Sequence, residues 1–162
     1  MPVAQHLLLV HSIALGLSVL TPAEERYELL HDAEEGFLGF DPITPIKALL
    51  GEPFHNLSDN ITAAVHRRYQ IDLPKGERHI RHKLADHIAA ASEAIHVVGW
   101  SSAQVRNLLG IKAPILSKDP LHDRGTKEEG YAPWEPWESG YAAARFLEQL
   151  QLLLPSSQQE QP

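Results

Sequence analysis

The chain contains no cysteine among its 162 residues. Disulfides, zinc–thiolate centres and thiol nucleophiles are thereby excluded, and any metal must be held by imidazole nitrogen and by oxygen. Positive charge is also scarce, with 14 Lys and Arg against 21 Asp and Glu and a net charge of -7. Sequence-independent binding to duplex nucleic acid needs clustered cations, and the only local basic cluster is "GERHIRHK" at 76–83. A duplex is therefore not an expected partner, whereas a single anionic ligand held by a metal and one or two cations is compatible with this balance. Long apolar runs are missing as well. The start "HLLLVHSIALGLSVL" includes His6 and His11, has no Lys or Arg before it, and is too short to cross a bilayer. It reads as a buried helix of a cytoplasmic protein without a membrane partner. Strand alternation and internal repeats are absent from the pattern.

What is present is helical. At 43% hydrophobic and 22% charged, the chain has the profile of one globular domain able to bury a core. The spacing predicts a first helix over 3–20, with Leu8, Ile13, Leu17 and Leu20 facing that core. Thr21, Pro22 and Glu24 then form a helix start, a T-x-x-E capping box with proline at the first helical position. Gly36 and Gly39 erode the end of that helix, and Pro42 and Pro45 turn the chain away. "LSDNITAAVHRRY" predicts a third helix with Leu57, Ile61, Ala64 and Val65 inward. The stretch 78–99 is a long Ala-rich helix, so a neighbour is expected to pack closely on it. Residues 112–133 read as loop, and "ESGYAAARFLEQLQLLL" as the last helix, packed by Trp134 and Trp137. The expected fold class is all-α, one domain over 1–154 followed by a polar tail at 155–162.

Two His-Asp pairs occur, and their settings differ. His122-Asp123 lies between Pro120 and Gly125, where a solvated loop pair is the plain reading. His31-Asp32 follows Leu29-Leu30 on an apolar helical face, where adjacent polar groups need partners. Candidate partners are His6 in the first helix and Asp86, which is flanked by Leu84, Ala85, Ile88 and Ala89. An inward, unpaired aspartate would cost several kcal/mol, so Asp86 implies a cation or a donor. Two imidazoles and two carboxylates suit one divalent metal ion such as Mn, Fe, Co, Zn or Ni. Taken singly, His6 could equally be a hydrogen-bonded core histidine, and Asp86 could pair with Lys83 or Arg81.

The ordered segments "VAQHLLLV", "LLHDAEEGFLGFDPITPIK", "HKLADHIAAASEA" and "APWEP…ARFLEQL" resemble the HD-domain phosphohydrolases. Within these they are most similar to the small 5′-deoxynucleotidase-like branch, which includes phage dATP triphosphohydrolases. The resemblance spans nearly the whole chain. It implies a helical bundle in which His6, His31, Asp32 and Asp86 bind one divalent metal, with Mg added to the candidate ions. It further implies a metal-dependent phosphoric ester hydrolase acting on a deoxynucleoside mono- or triphosphate or a similar ester, and a homo-oligomer. The alternative is a degenerate module of the same kind that binds a nucleotide or a partner without turnover.

The same resemblance makes Glu35 the proton-handling carboxylate. Residues 31 and 35 are one helical turn apart, so Glu35 is expected beside the metal edge on the same face. Glu34 then points about 100° away, into solvent. Asp41 is the second-choice acid, although it stands one position later than in relatives. Lys83 and Lys47 are the cations expected to meet phosphate. Ser58 replaces a glutamate common in relatives, and Glu93 is expected to brace a neighbouring helix through an arginine. Five residues precede His6. The longer substrate-contacting segment found there in relatives has no counterpart, implying a misassigned start, a truncation or altered substrate selection.

Overall fold

In the computed structural model, residues 1–39, 44–122 and 130–155 are described. They form seven helices: α1 (Val3–Leu17), α2 (Pro22–Leu30), α3 (Ala33–Leu38), α4 (Thr44–Tyr69), α5 (Glu77–His96), α6 (Ser102–Leu108) and α7 (Ser139–Leu153). No strand occurs among the described residues, and the protein is all-α. None of these helices is long and apolar enough to cross a membrane.

Helix α1 is the centre of the bundle. Every residue from Leu7 to Ala14 is buried, and α1 packs against α2, α5 and α7. A helix enclosed on all sides must satisfy its own polar groups. Gln5, fully buried, donates from Nε2 to the Glu135 carbonyl at 3.0 Å and accepts the Trp137 amide at 2.8 Å. The Ala-rich face of α5 meets α1: Ala85 and Ala89 are fully buried in the same core as Leu9 and Val10. Small side chains there let the two backbones approach, which brings the polar residues of α5 close to those of α1.

Helix α2 opens on the expected capping box, with the Glu24 amide donating to Thr21 Oγ1 and the Thr21 amide donating to Glu24 Oε2. Farther along, the buried Arg26 donates from Nε to the Tyr69 carbonyl and from Nη1 to the Leu153 carbonyl, both at 2.9 Å. The last carbonyls of α4 and α7 lack intrahelical donors, so one guanidinium satisfies both ends and ties them to α2.

Several expectations are corrected. α1 ends at Leu17, which is 41% exposed rather than in the core. The helix that carries Leu57 is preceded by another helical segment from Thr44, and Gly51 (φ 66°, ψ -159°) leaves helical geometry and breaks α4 between the two. Pro53 falls in the first turn after that kink, where its missing N–H costs no helical bond. Val65 is buried, but Leu57 and Ala64 are exposed. Helix α6 was not expected; its Ser101/Gln104 capping box is the signal that marks it. Trp134 and Trp137 are both buried in the main core, as packing residues.

Candidate metal centre

The His31-Asp32 pair does not lie within a continuous helix. α2 stops at Leu30, Asp32 leaves helical geometry at φ -115° and ψ 26°, and α3 restarts at Ala33. The break projects both side chains toward α1 and α5. His6, His31 and Asp32 each offer one donor atom, and these atoms all lie within 4.8 Å of one another. Asp86 stands beside the group, with its Oδ1 3.8 Å from His6 Nε2 and its side chain 21% exposed. The structure thus brings together residues from α1 and the α2–α3 turn, with Asp86 of α5 next to His6 but outside the mutually close group.

Proton positions follow from the partners. His6 Nδ1 is 2.9 Å from Glu93 Oε1, and a carboxylate only accepts, so Nδ1 donates. His31 Nδ1 is 2.9 Å from the Glu28 carbonyl and donates for the same reason. In both rings Nε2 is left to face the cluster. His31 Nε2 is buried and has no hydrogen-bond partner among the described residues. Its 3.3 Å approach to Asp32 Oδ2 is too oblique for a hydrogen bond. Two oriented imidazole lone pairs and a carboxylate, with another carboxylate adjacent, are donors of the type and spacing that can hold a divalent cation.

Electrostatics give the same picture. Burial alone would raise the Asp32 carboxyl, but the close His31, together with the charges of His6 and Lys83, lowers it to about 2. Burial would lower His6, but the Glu93 hydrogen bond and the charges of Glu93, Asp32 and Asp86 outweigh it, and its pKa is raised. His31 is likewise raised: burial is overcome by Asp32 and the Glu28 carbonyl, against opposition from His6. The cluster is rich in negative charge and draws positive charge in, as protons or as a metal.

The remaining expected residues distribute as follows. Glu35 is half-buried on α3 and lies outside the group of mutually close donors. Glu34 is not solvated as expected: the break at Asp32 resets the helical phase, and its buried Oε2 makes no hydrogen bond among the described residues. Burial and the nearby Asp32 raise its pKa, while His31 and Lys47 oppose the rise. Lys83 Nζ sits 3.2 Å from Asp86 Oδ2, with half its side chain exposed. Lys47 is half-buried on α4, within electrostatic reach of Glu34. Asp41 lies outside the described residues, as does Asp123 of the second His-Asp pair.

Sequence reasoning missed the partners behind the candidate ligands. Glu93 binds a histidine, not an arginine. His82 and Glu28, hydrogen-bonded to each other beside His31, were not singled out. One signal was available for His82, which stands one helical turn before Asp86 on α5.

Over 119 residues the chain is 38% identical to an uncharacterized protein of Rhodobacter capsulatus, a stretch covering 70% of this chain. The match covers 59% of that protein, so the chain spans less than two thirds of its relative's length. No family model matches the chain.

Proposed function

We propose that the protein is a metal-dependent phosphohydrolase acting on a nucleotide or a similar phosphate ester, of the HD-domain type that the H…HD…D order resembles. The observation that carries this reading is the convergence of His6, His31 and Asp32 from separate elements. In both histidines Nδ1 donates to an acceptor while Nε2 faces the group. A core histidine needs partners only for itself; two rings turned so that their bare nitrogens meet a carboxylate have a shared purpose.

His6, His31, Asp32 and Asp86 would hold the ion. When bound, a divalent cation supplies Lewis-acid polarisation of a phosphoryl oxygen and a more acidic water. The chain's own groups do the rest. Glu35, the first residue choice for handling a proton, lies on the short helix that follows the ligand turn. Lys83, already held against Asp86, keeps an exposed ammonium at the rim to meet the phosphate anion. Lys47 offers a second cation on α4, and Asp41 remains the second-choice acid. Deoxynucleoside mono- and triphosphates are the first substrates to try, in a homo-oligomeric cytoplasmic enzyme.

A second reading is a metal- or nucleotide-binding module without turnover. Metal analysis of the purified protein, followed by a phosphate-release screen over nucleoside mono- and triphosphates with Mn, Co, Zn, Ni and Mg, separates the two. Phosphate release that needs the metal supports the enzyme. Stoichiometric metal with no release from any ester refutes it in favour of the binding module.

A further inference from the structure

A buried pair stands behind the ligand turn and belongs to none of the roles above. His82 on α5 is 2% exposed and Glu28 on α2 is 6% exposed. His82 Nδ1 lies 2.9 Å from Glu28 Oε2, so the imidazole donates and the carboxylate accepts. The His82 ring is wedged edge-on between two others, 4.8 Å from Tyr27 and 4.8 Å from His31, centroid to centroid. The main-chain carbonyl of the same Glu28 accepts the Nδ1 proton of His31.

Resting on the reading of His31 as a metal ligand, we infer that Glu28 and His82 are a positioning pair that sets the tautomer and ring orientation of His31. Glu28 acts on His31 twice. Its carbonyl takes the Nδ1 proton directly, which leaves Nε2 bare. Its carboxylate holds the His82 ring in place, and that ring packs edge-on against His31 at 4.8 Å, centroid to centroid, where it hinders rotation of the His31 ring. A single bond to a helical carbonyl is a weak restraint on an imidazole, because a half-turn about one torsion would turn Cδ2 to the carbonyl and Cε1 to the cluster. Edge-on packing hinders the rotation that leads to that alternative. His82 is itself restrained from the far side by Tyr27, and its carboxylate partner is buried too, so neither group can relax into water. Partners of this kind behind a ligating histidine are worth about 10–100-fold in metal affinity.

The test needs two readouts on the full chain: the imidazole nitrogen NMR spectrum of the metal-free protein at a pH where His31 is neutral, and Co²⁺ affinity by competition. In the wild type His31 should carry its proton on Nδ1 alone; a proton on Nε2 overturns the inference without any variant. His82→Ala and Glu28→Ala should give mixed His31 tautomers and weaken Co²⁺ binding about 10–100-fold. Glu28→Gln, whose amide oxygen can still accept from His82, should stay close to wild type in both. If Glu28→Ala does not fold, His82→Ala carries the test. A folded His82→Ala with the wild-type tautomer and affinity overturns the positioning role. A wild type that binds no Co²⁺ refutes the metal reading instead, and the tautomers of the variants still decide the positioning.

Discussion

His6 Nδ1 and Glu93 Oε1 meet at 2.9 Å across the interface of the first helix with α5. The contact orients an imidazole from one end of the chain by a carboxylate near its middle. It also sits two turns beyond Asp86 on α5, so one helix supplies both a candidate ligand and the support of another.

Replacing Glu93 by Ala should therefore weaken metal binding by about 10–100-fold while sparing the fold. Competition against a chelator, with circular dichroism as the control for helix content, measures both. Unchanged affinity would show that His6 is oriented by packing alone.

Asp32→Ala should abolish metal retention and any metal-dependent activity with helix content largely intact. The Asp32 side chain makes no capping hydrogen bond to α3, so the substitution removes none. It removes the charged member of the close group. A variant that still retains stoichiometric metal after dialysis would count against the ligand assignment.

The carboxylates after the turn can be told apart by rate. Glu35→Gln should keep the metal and substrate binding but lower kcat by about 10²–10⁴-fold, the usual contribution of a proton-handling group. Glu34→Gln removes a carboxyl whose Oε2 is buried without a hydrogen bond, and should leave kcat within a few-fold of wild type. If the large loss falls on Glu34→Gln instead, the break at Asp32 has moved the role by one residue.

Stability should respond to the cap of α2 with a definite pH sign. The Thr21 amide, then the Thr21 hydroxyl, then Arg78 and Arg81 hold the Glu24 carboxyl below its ordinary value of 4.5. A depressed carboxylate stabilises the folded state above the unfolded pKa, and that gain is lost as pH falls through the folded pKa. The melting-temperature gap between wild type and Glu24→Gln should therefore be full near neutrality and close below pH 4.5. Thr21→Ala, which removes the other half of the box, should cost about 0.5–2 kcal/mol. Equal gaps at all pH values would place the effect of Glu24 in packing.

Arg26→Met should cost more than the cap, about 2–4 kcal/mol, because it strands helix-terminal carbonyls on two elements at once. Urea unfolding with an unchanged slope would report it. A change below about half a kcal/mol would mean that water replaces the guanidinium at both ends.

What the sequence determined by itself was local. The absence of cysteine limits the donor set to nitrogen and oxygen, apolar spacing sets an all-α chain, and Thr21-x-x-Glu24 marks the start of α2 to the residue. These are legible because they depend on neighbours within a turn or two. The grouping of His6, His31 and Asp32 was legible as a candidate, from apolar settings and an ordered resemblance, since nothing in the spacing of residues 6 and 31 dictates that they meet.

The tertiary structure decided the rest. Whether α2 continues through His31 or breaks there depends on α1 and α5 drawing the pair inward, and that break is what buries Glu34 Oε2 rather than solvating it. Glu93 on His6, and His82 on Glu28, are side-chain hydrogen bonds between helices far apart in the chain. A hydrogen bond of about 3 Å tolerates little error. Such contacts exist only once the alanines of α5 have let α1 settle against it, and no local propensity encodes that distance.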